Sequence, residues 1–233
     1  METEQLRRTQ TNVFVNEFIW SVYNWMAIGL AVTGFMAYMV ANSPSALKFI
    51  FGNQLVFIGL IIGELGLVYY LSARINRIEA GTATAMFLFY SALNGVTLSV
   101  IFIIYTAASI TSTFFICTAT FVVCSVYGMT TKKDLTSIGS FMFMGLIGII
   151  IASVVNWFLQ SSLVNYVISY IGIIVFVGLT AYDSQNLKNM AQTQPVGANE
   201  GVLRKGAILG ALTLYLDFIN LFLMLLRLFG NRD

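Results

Sequence analysis

The sequence predicts an all-α, polytopic membrane protein, a bundle of about seven transmembrane helices with no soluble domain of any size. Three observations lead there. The 233 residues are 58% hydrophobic and 9% charged, against about 25% charged in an ordinary globular chain. Mean hydropathy is +0.83. The apolar residues also gather into runs near the length of about 20 residues that crosses roughly 30 Å of hydrocarbon.

The runs are bracketed by charges, prolines and polar clusters. Residues 1–17 mix Glu2, Glu4, Arg7 and Arg8 with Gln, Thr and Asn, and they lack the basic, apolar and small-residue order of a cleavable signal. They read as a retained cytoplasmic tail, and residues 18–233 as one membrane domain. The first run spans Phe18 to Ala41 and stops at Asn42, Ser43 and Pro44; the second spans Gln54 to Ala73 and is closed by Arg74, Asn76, Arg77 and Glu79. The third, Thr82 to Tyr105, meets the fourth, Ser109 to Met129, through a tight turn at Ala107 and Ala108. After a polar loop at Lys132, Lys133 and Asp134, the fifth runs from Ile138 to Leu159 and the sixth from Val164 to Ala181. Tyr182-Asp183-Ser184-Gln185 then opens the longest predicted loop, which includes Pro195 and leads to the seventh run, Gly206 to Leu228. Both prolines are expected in loops.

Positive charge sets the expected orientation. With the N-terminus cytoplasmic, the inner side holds Arg7, Arg8, Arg74, Arg77, Lys132, Lys133, Lys188, Arg204 and Lys205, and the outer side only Lys48, Arg227 and Arg232. The C-terminus then lies outside.

Composition also excludes. A formal net charge of +2, with no basic run interleaved with aromatics, gives no nucleic-acid partner. There is no histidine, which removes Ser-His-Asp and Cys-His catalysis, the zinc signature HExxH and imidazole pH sensing. Cys117 and Cys124 read as small apolar fillers in a Thr-rich helix rather than metal ligands or a disulfide. No tightly bound metal and no cofactor is expected. Small and hydroxyl residues, such as Ser91-Ala92-Leu93-Asn94-Gly95, Thr111 through Thr120, and the pair Gly206 and Gly210, suit close helix packing.

The informative residues are the ionisable ones inside apolar runs: Glu64, Arg74, Asp183, Asp217 and Arg227. An ionised side chain at the bilayer centre costs about 2.5–3.5 kcal/mol on insertion scales, so each needs a partner or a purpose. Glu64 precedes Arg74, and Asp217 precedes Arg227, by the same ten residues, about 15 Å along a helix. Antiparallel neighbours would set Arg74 level with Asp217 and Glu64 level with Arg227; alternatively, both arginines snorkel to their interfaces. Asp183 and Asp217 form the other constellation. If the sixth and seventh helices lean together, these carboxyls share a proton or a cation and titrate as a unit. Asn220, one turn beyond Asp217, offers a hard oxygen suited to calcium. The structural alternative is a cap near Asp183 and a packing role for Asp217.

These segments carry a resemblance. Gly178-Leu179-Thr180-Ala181-Tyr182-Asp183-Ser184-Gln185 and Ala211-Leu212-Thr213-Leu214-Tyr215-Leu216-Asp217-Phe218-Ile219-Asn220-Leu221-Phe222 resemble the signature segments of the Bax inhibitor-1 family. Ser91 through Ser99 with Tyr105-Thr106, and Val22-Tyr23 through Gly29-Leu30, resemble its third and first spans. The likeness covers nearly the whole chain beyond the tail and is nearest to bacterial inner-membrane members. It implies a seven-helix fold and a pH-sensitive calcium leak, sensed by Asp183 and Asp217, with Arg74 as latch. It also implies a second, non-conducting reading, the restraint of a membrane-bound ATP-dependent protease or of a stress or cell-death pathway. Intramembrane aspartyl proteases share the Tyr-Asp pattern at Tyr182-Asp183, but Leu214-Tyr215-Leu216 stands where those enzymes carry Gly-x-Gly, so the chain is not expected to be an enzyme. The expected partners are the lipid bilayer, calcium as a permeant ion and, on the second reading, the protease.

Overall fold

The structure is a computed structural model that describes residues 2–193 and 199–231, with side chains from Val13 onward. Pro195, Arg232 and the side chains of Arg7 and Arg8 lie outside the described residues. The helices are α1 (Glu2–Ala41), α2 (Pro44–Phe51), α3 (Gln54–Arg74), α4 (Ala80–Leu98), α5 (Ile101–Ile104), α6 (Ala107–Thr130), α7 (Thr136–Leu159), α8 (Ser162–Thr193) and α9 (Glu200–Phe229). Among the described residues seven segments are long and apolar enough to cross a bilayer, α4 and α5 counting together as one. Many large apolar side chains point outward, among them Trp20, Tyr69, Phe141, Trp157 and Phe158. Such a surface suits hydrocarbon, where helices satisfy their own backbone polar groups.

Residues 2–17, the expected tail, are helical and run on into the first span. Three boundaries differ from the sequence expectation. Pro44, expected in a loop, opens the short helix α2, because proline's fixed φ and missing N–H are tolerated in a first helical turn. The third run breaks between α4 and α5, where Ser99 Oγ donates to the Val96 carbonyl at 2.7 Å and gives the backbone a local alternative to the helical ladder. The loop expected from Tyr182 onward is helix through Thr193. Polarity suggested a loop there, yet no glycine or proline interrupts the stretch, and Ser184, Leu187 and Ala191 are buried at helical spacing.

The chain divides into two compact units, residues 1–104 with 191–215, and residues 105–190 with 216–233. The first is organised by α1 and α4. Gly29 faces the Phe87 ring and Ser91, and a Cβ on Gly95 would meet the Thr33 carbonyl at 2.5 Å. Thr33 Oγ1 lies 2.9 Å from the Gly29 carbonyl, 2.8 Å from the Ser91 carbonyl and 2.7 Å from the Tyr215 hydroxyl. Tyr215, fully buried, packs edge-on against Phe87 and Tyr90, with ring centres 5.9 and 5.8 Å away.

The second unit is built from α6, α7, α8 and the part of α9 from Leu216 on. Its helices approach through glycines: Gly128 abuts the Ala181 carbonyl, Gly139 the Tyr182 ring, Gly178 the Met142 side chain and Gly172 that of Met224. Phe114, Phe121 and Phe218 form an edge-to-face aromatic cluster. Gln185 straps the α6–α7 loop to α8, donating to the Lys133 carbonyl and accepting from Leu135 N–H, each at 2.8 Å. In that loop Asp134 accepts from the Thr136 hydroxyl and N–H, and these bonds hold its carboxyl below its ordinary range.

The glycine contacts give a direct prediction. Gly128→Ala places a methyl against the Ala181 backbone, which cannot rotate away, and should cost about 1–3 kcal/mol, as overpacked sites do. Gly148 meets nothing within 4 Å, so Gly148→Ala should stay within about 0.5 kcal/mol. Thermal unfolding of the detergent-purified variants compares the two. Equal effects would contradict the assigned α6–α8 approach.

Candidate functional site

The site lies in the second unit, where α8 presents Asp183 and α9 presents Asp217. Asp183 sits about three turns before the end of α8 at Thr193, so its backbone is held by a continuous helix rather than a loop. Asp217 follows the Leu214-Tyr215-Leu216 segment of α9 and is 5% exposed. The contacts around the pair are close. Ser184, next to Asp183, joins its hydroxyl to that of Ser125 at 2.8 Å. The Gly128–Ala181 approach fixes α8 against α6 one turn earlier.

The two carboxyls are in side-chain hydrogen-bonding contact with each other. Two carboxylates have no hydrogen to share, so a hydrogen bond between them needs one of the two protonated. The second oxygen of Asp217, Oδ2, is buried and has no hydrogen-bond partner among the described residues. Losing the proton would therefore leave two like charges in contact, one of them in a site that offers it little solvation.

The other predicted residues stand as follows. Asn220 shares the face of Asp217, but its amide donates to the Leu216 carbonyl at 2.8 Å. Among the described residues no group of three or more His, Cys, Asp or Glu side chains gathers as a metal site. Glu64, half-buried on α3, accepts from the Thr97 hydroxyl at 2.9 Å within the first unit. Arg74 is exposed at the end of α3, and Arg227 is half-buried near the end of α9. The expected partners of Arg74 and Glu64, namely Asp217 and Arg227, belong to the second unit.

Sequence reasoning passed over several polar residues that organise these units. Thr33 ties α1 to α4 and to Tyr215. Its signal was present in Gly29, four residues earlier on the same helix face. Asn94 was read only as part of a small, polar packing stretch; its Nδ2 donates to the Tyr90 hydroxyl at 3.2 Å, and its buried Oδ1 has no partner among the described residues. The Ser125–Ser184 bridge left no pattern legible in one sequence, because lone serines are common in membrane helices.

Known proteins resemble this chain along its length. The family described as "Inhibitor of apoptosis-promoting Bax1" matches residues 15–233. Inner membrane protein YbhL of Escherichia coli strain K12 is 53% identical over 223 residues, covering 96% of this chain and 95% of that one. Uncharacterized protein RP147 of Rickettsia prowazekii is 42% identical over 234 residues, covering 99% and 98%. An uncharacterized membrane protein of Streptococcus pyogenes serotype M1 is 36% identical over 228 residues, covering 97% of each chain.

A proton shared by the pair would make stability depend on pH. With the proton in place the α8–α9 contact would be complete, and without it two charges would oppose each other, so stability should fall as pH rises. From about pH 6 to pH 8, a range into which coupled carboxyls can be shifted, the wild-type thermal midpoint should drop. The scale is up to about 2.5–3.5 kcal/mol, the cost of one buried charge. Asp217→Asn, whose amide donates to Asp183 at every pH, should flatten the profile. An equal drop in the variant would remove the pair as its cause.

Proposed function

The chain belongs to the Bax inhibitor-1 family, and from that premise we propose that it is a pH-sensitive, calcium-permeable leak pathway of the inner membrane, gated by Asp183 and Asp217. The N-terminus is cytoplasmic on this reading, following the lysine and arginine distribution. The observation that supports it is the carboxyl–carboxyl contact between α8 and α9. Protonated, the pair clasps the two helices and offers no site to a cation. Deprotonated, it becomes two hard oxygen anions, a suitable transient contact for a passing calcium ion. A calcium ion that meets only two carboxylates and the Asn220 oxygen is held loosely enough to leave, as conduction requires.

Magnitudes agree with gating. A buried charge worth about 2.5–3.5 kcal/mol moves a two-state equilibrium by roughly a hundredfold. That is enough to open a pathway that is closed in most molecules at low pH. Arg74 acts as the latch cation on this reading, competing for an ionised aspartate, and Glu64 and Arg227 tune the closed state without setting its pH midpoint.

A second reading is the non-conducting restraint of a membrane-bound ATP-dependent protease or of a stress pathway. The observation in its favour is that α1 is helical from Glu2, well before the apolar run begins at Phe18, which gives a partner an ordered handle outside the bilayer.

Calcium entry into proteoliposomes between about pH 6 and pH 8 distinguishes the readings. Flux should rise with pH. Asp183→Asn and Asp217→Asn should each flatten that rise, and Glu64→Gln should alter basal flux more than the midpoint. A full pH response in both aspartate variants would overturn the sensor assignment, and no flux at any pH would favour the restraint.

A further inference from the structure

The first unit contains a cavity of about 470 Å³ where α1 and α9 begin their apolar runs. Its wall is divided by chemistry. Phe18, Trp25 and Leu203 supply apolar surface, and Glu17, Glu200 and Arg204 supply charge of both signs. The boundary between apolar run and polar segment is also where phospholipid headgroups lie.

Arg204 is positioned before any ligand arrives. Its Nε donates to the Thr84 hydroxyl at 3.1 Å, and its guanidinium carbon sits 5.5 Å from the centre of the Trp25 ring. These contacts use the inner edge and one face of the group, which leaves the terminal amino groups for an occupant. Although two carboxylates line the same cavity, neither forms an ion pair with Arg204 among the described residues. A cation and two anions are thus held apart around a partly apolar hollow, and a ligand that carries both charges a few bonds apart can satisfy all three.

We propose that this cavity binds the phosphoethanolamine headgroup of a membrane phospholipid. The phosphate lies on the planar fork of Arg204, which suits oxyanions. The primary ammonium, with three donors, lies between Glu17 and Glu200. The glycerol and upper acyl carbons follow Phe18, Trp25 and Leu203. The charge pattern also ranks the alternatives. Phosphatidylglycerol brings no cation for the glutamates, and phosphatidylcholine brings a cation that cannot donate a hydrogen bond.

The test is native mass spectrometry of the full chain, released from detergent after titration with phosphatidylethanolamine, phosphatidylglycerol or phosphatidylcholine, and separately with chain-free glycerophosphoethanolamine. One phosphatidylethanolamine per chain should be retained, about tenfold better than either other lipid, the scale of one charge-assisted hydrogen bond. Glu17→Gln with Glu200→Gln alters two exposed side chains that the fold does not depend on. It should abolish the preference while leaving general lipid retention. Arg204→Gln should weaken all three lipids, and Arg204→Lys should recover part of the loss. Equal retention of the three lipids by the wild type, or an unchanged preference in the double variant, would overturn the proposal. Chain-free headgroup bound as tightly as the lipid would also overturn it, by assigning the cavity to a soluble phosphoester.

Discussion

Two carboxyl groups in contact within a membrane need a proton or a cation between them, and on the proposed reading a proton meets that need in the second unit. Asp183 and Asp217 make this contact across two helices that are otherwise fastened by apolar packing and by the fit of Gly172 against Met224. Packing of that kind does not respond to pH. On the proposed reading the carboxyl pair does, and it sits among closely packed neighbours. The Gly128–Ala181 and Gly139–Tyr182 approaches hold α8 closely against α6 and α7. Interiors packed this closely tend to switch between discrete arrangements instead of deforming smoothly.

The first unit follows the same logic of a few polar contacts inside hydrocarbon, without a proton-dependent one among those described. Thr33 and Tyr215 close a hydrogen-bonded cluster between α1, α4 and α9, and Glu64 is satisfied by a threonine hydroxyl. With lipid as solvent, burial of apolar surface does not drive helices together, so small residues and shared hydroxyls carry the association. The same division of labour explains the cavity beside Arg204. At the boundary of the apolar runs water and headgroups are available, and charged side chains can remain unpaired at little cost.

Much of this was legible in the sequence because the bilayer imposes a coarse code. Length and composition gave seven spans, and the rarity of intramembrane charge singled out Asp183 and Asp217. The errors arose where that code is silent. Polarity after Ala181 was read as a loop, although α8 continues through Thr193, because a helix leaving the apolar run is free to take polar residues. Pro44 suggests a loop, although proline fits the first turn of α2. Gly128 looked like any other small residue, since its closest contact is with a backbone carbonyl and side-chain patterns do not report backbone approach. Thr33 was missed because a hydroxyl in a helix usually bonds its own preceding turn, and only the fold reveals that this one also reaches α4 and Tyr215.

On the proposed reading one proton is shared by Asp183 and Asp217 within the membrane. Infrared difference spectroscopy of the reconstituted protein, titrated from low to high pH, observes that proton through the carbonyl stretch of a protonated carboxylic acid. A single carboxylic acid band should disappear as pH rises, in step with the loss of thermal stability, and should be absent from Asp217→Asn. A band that persists unchanged in that variant, or no protonated carboxyl at any pH where the fold is intact, would contradict it.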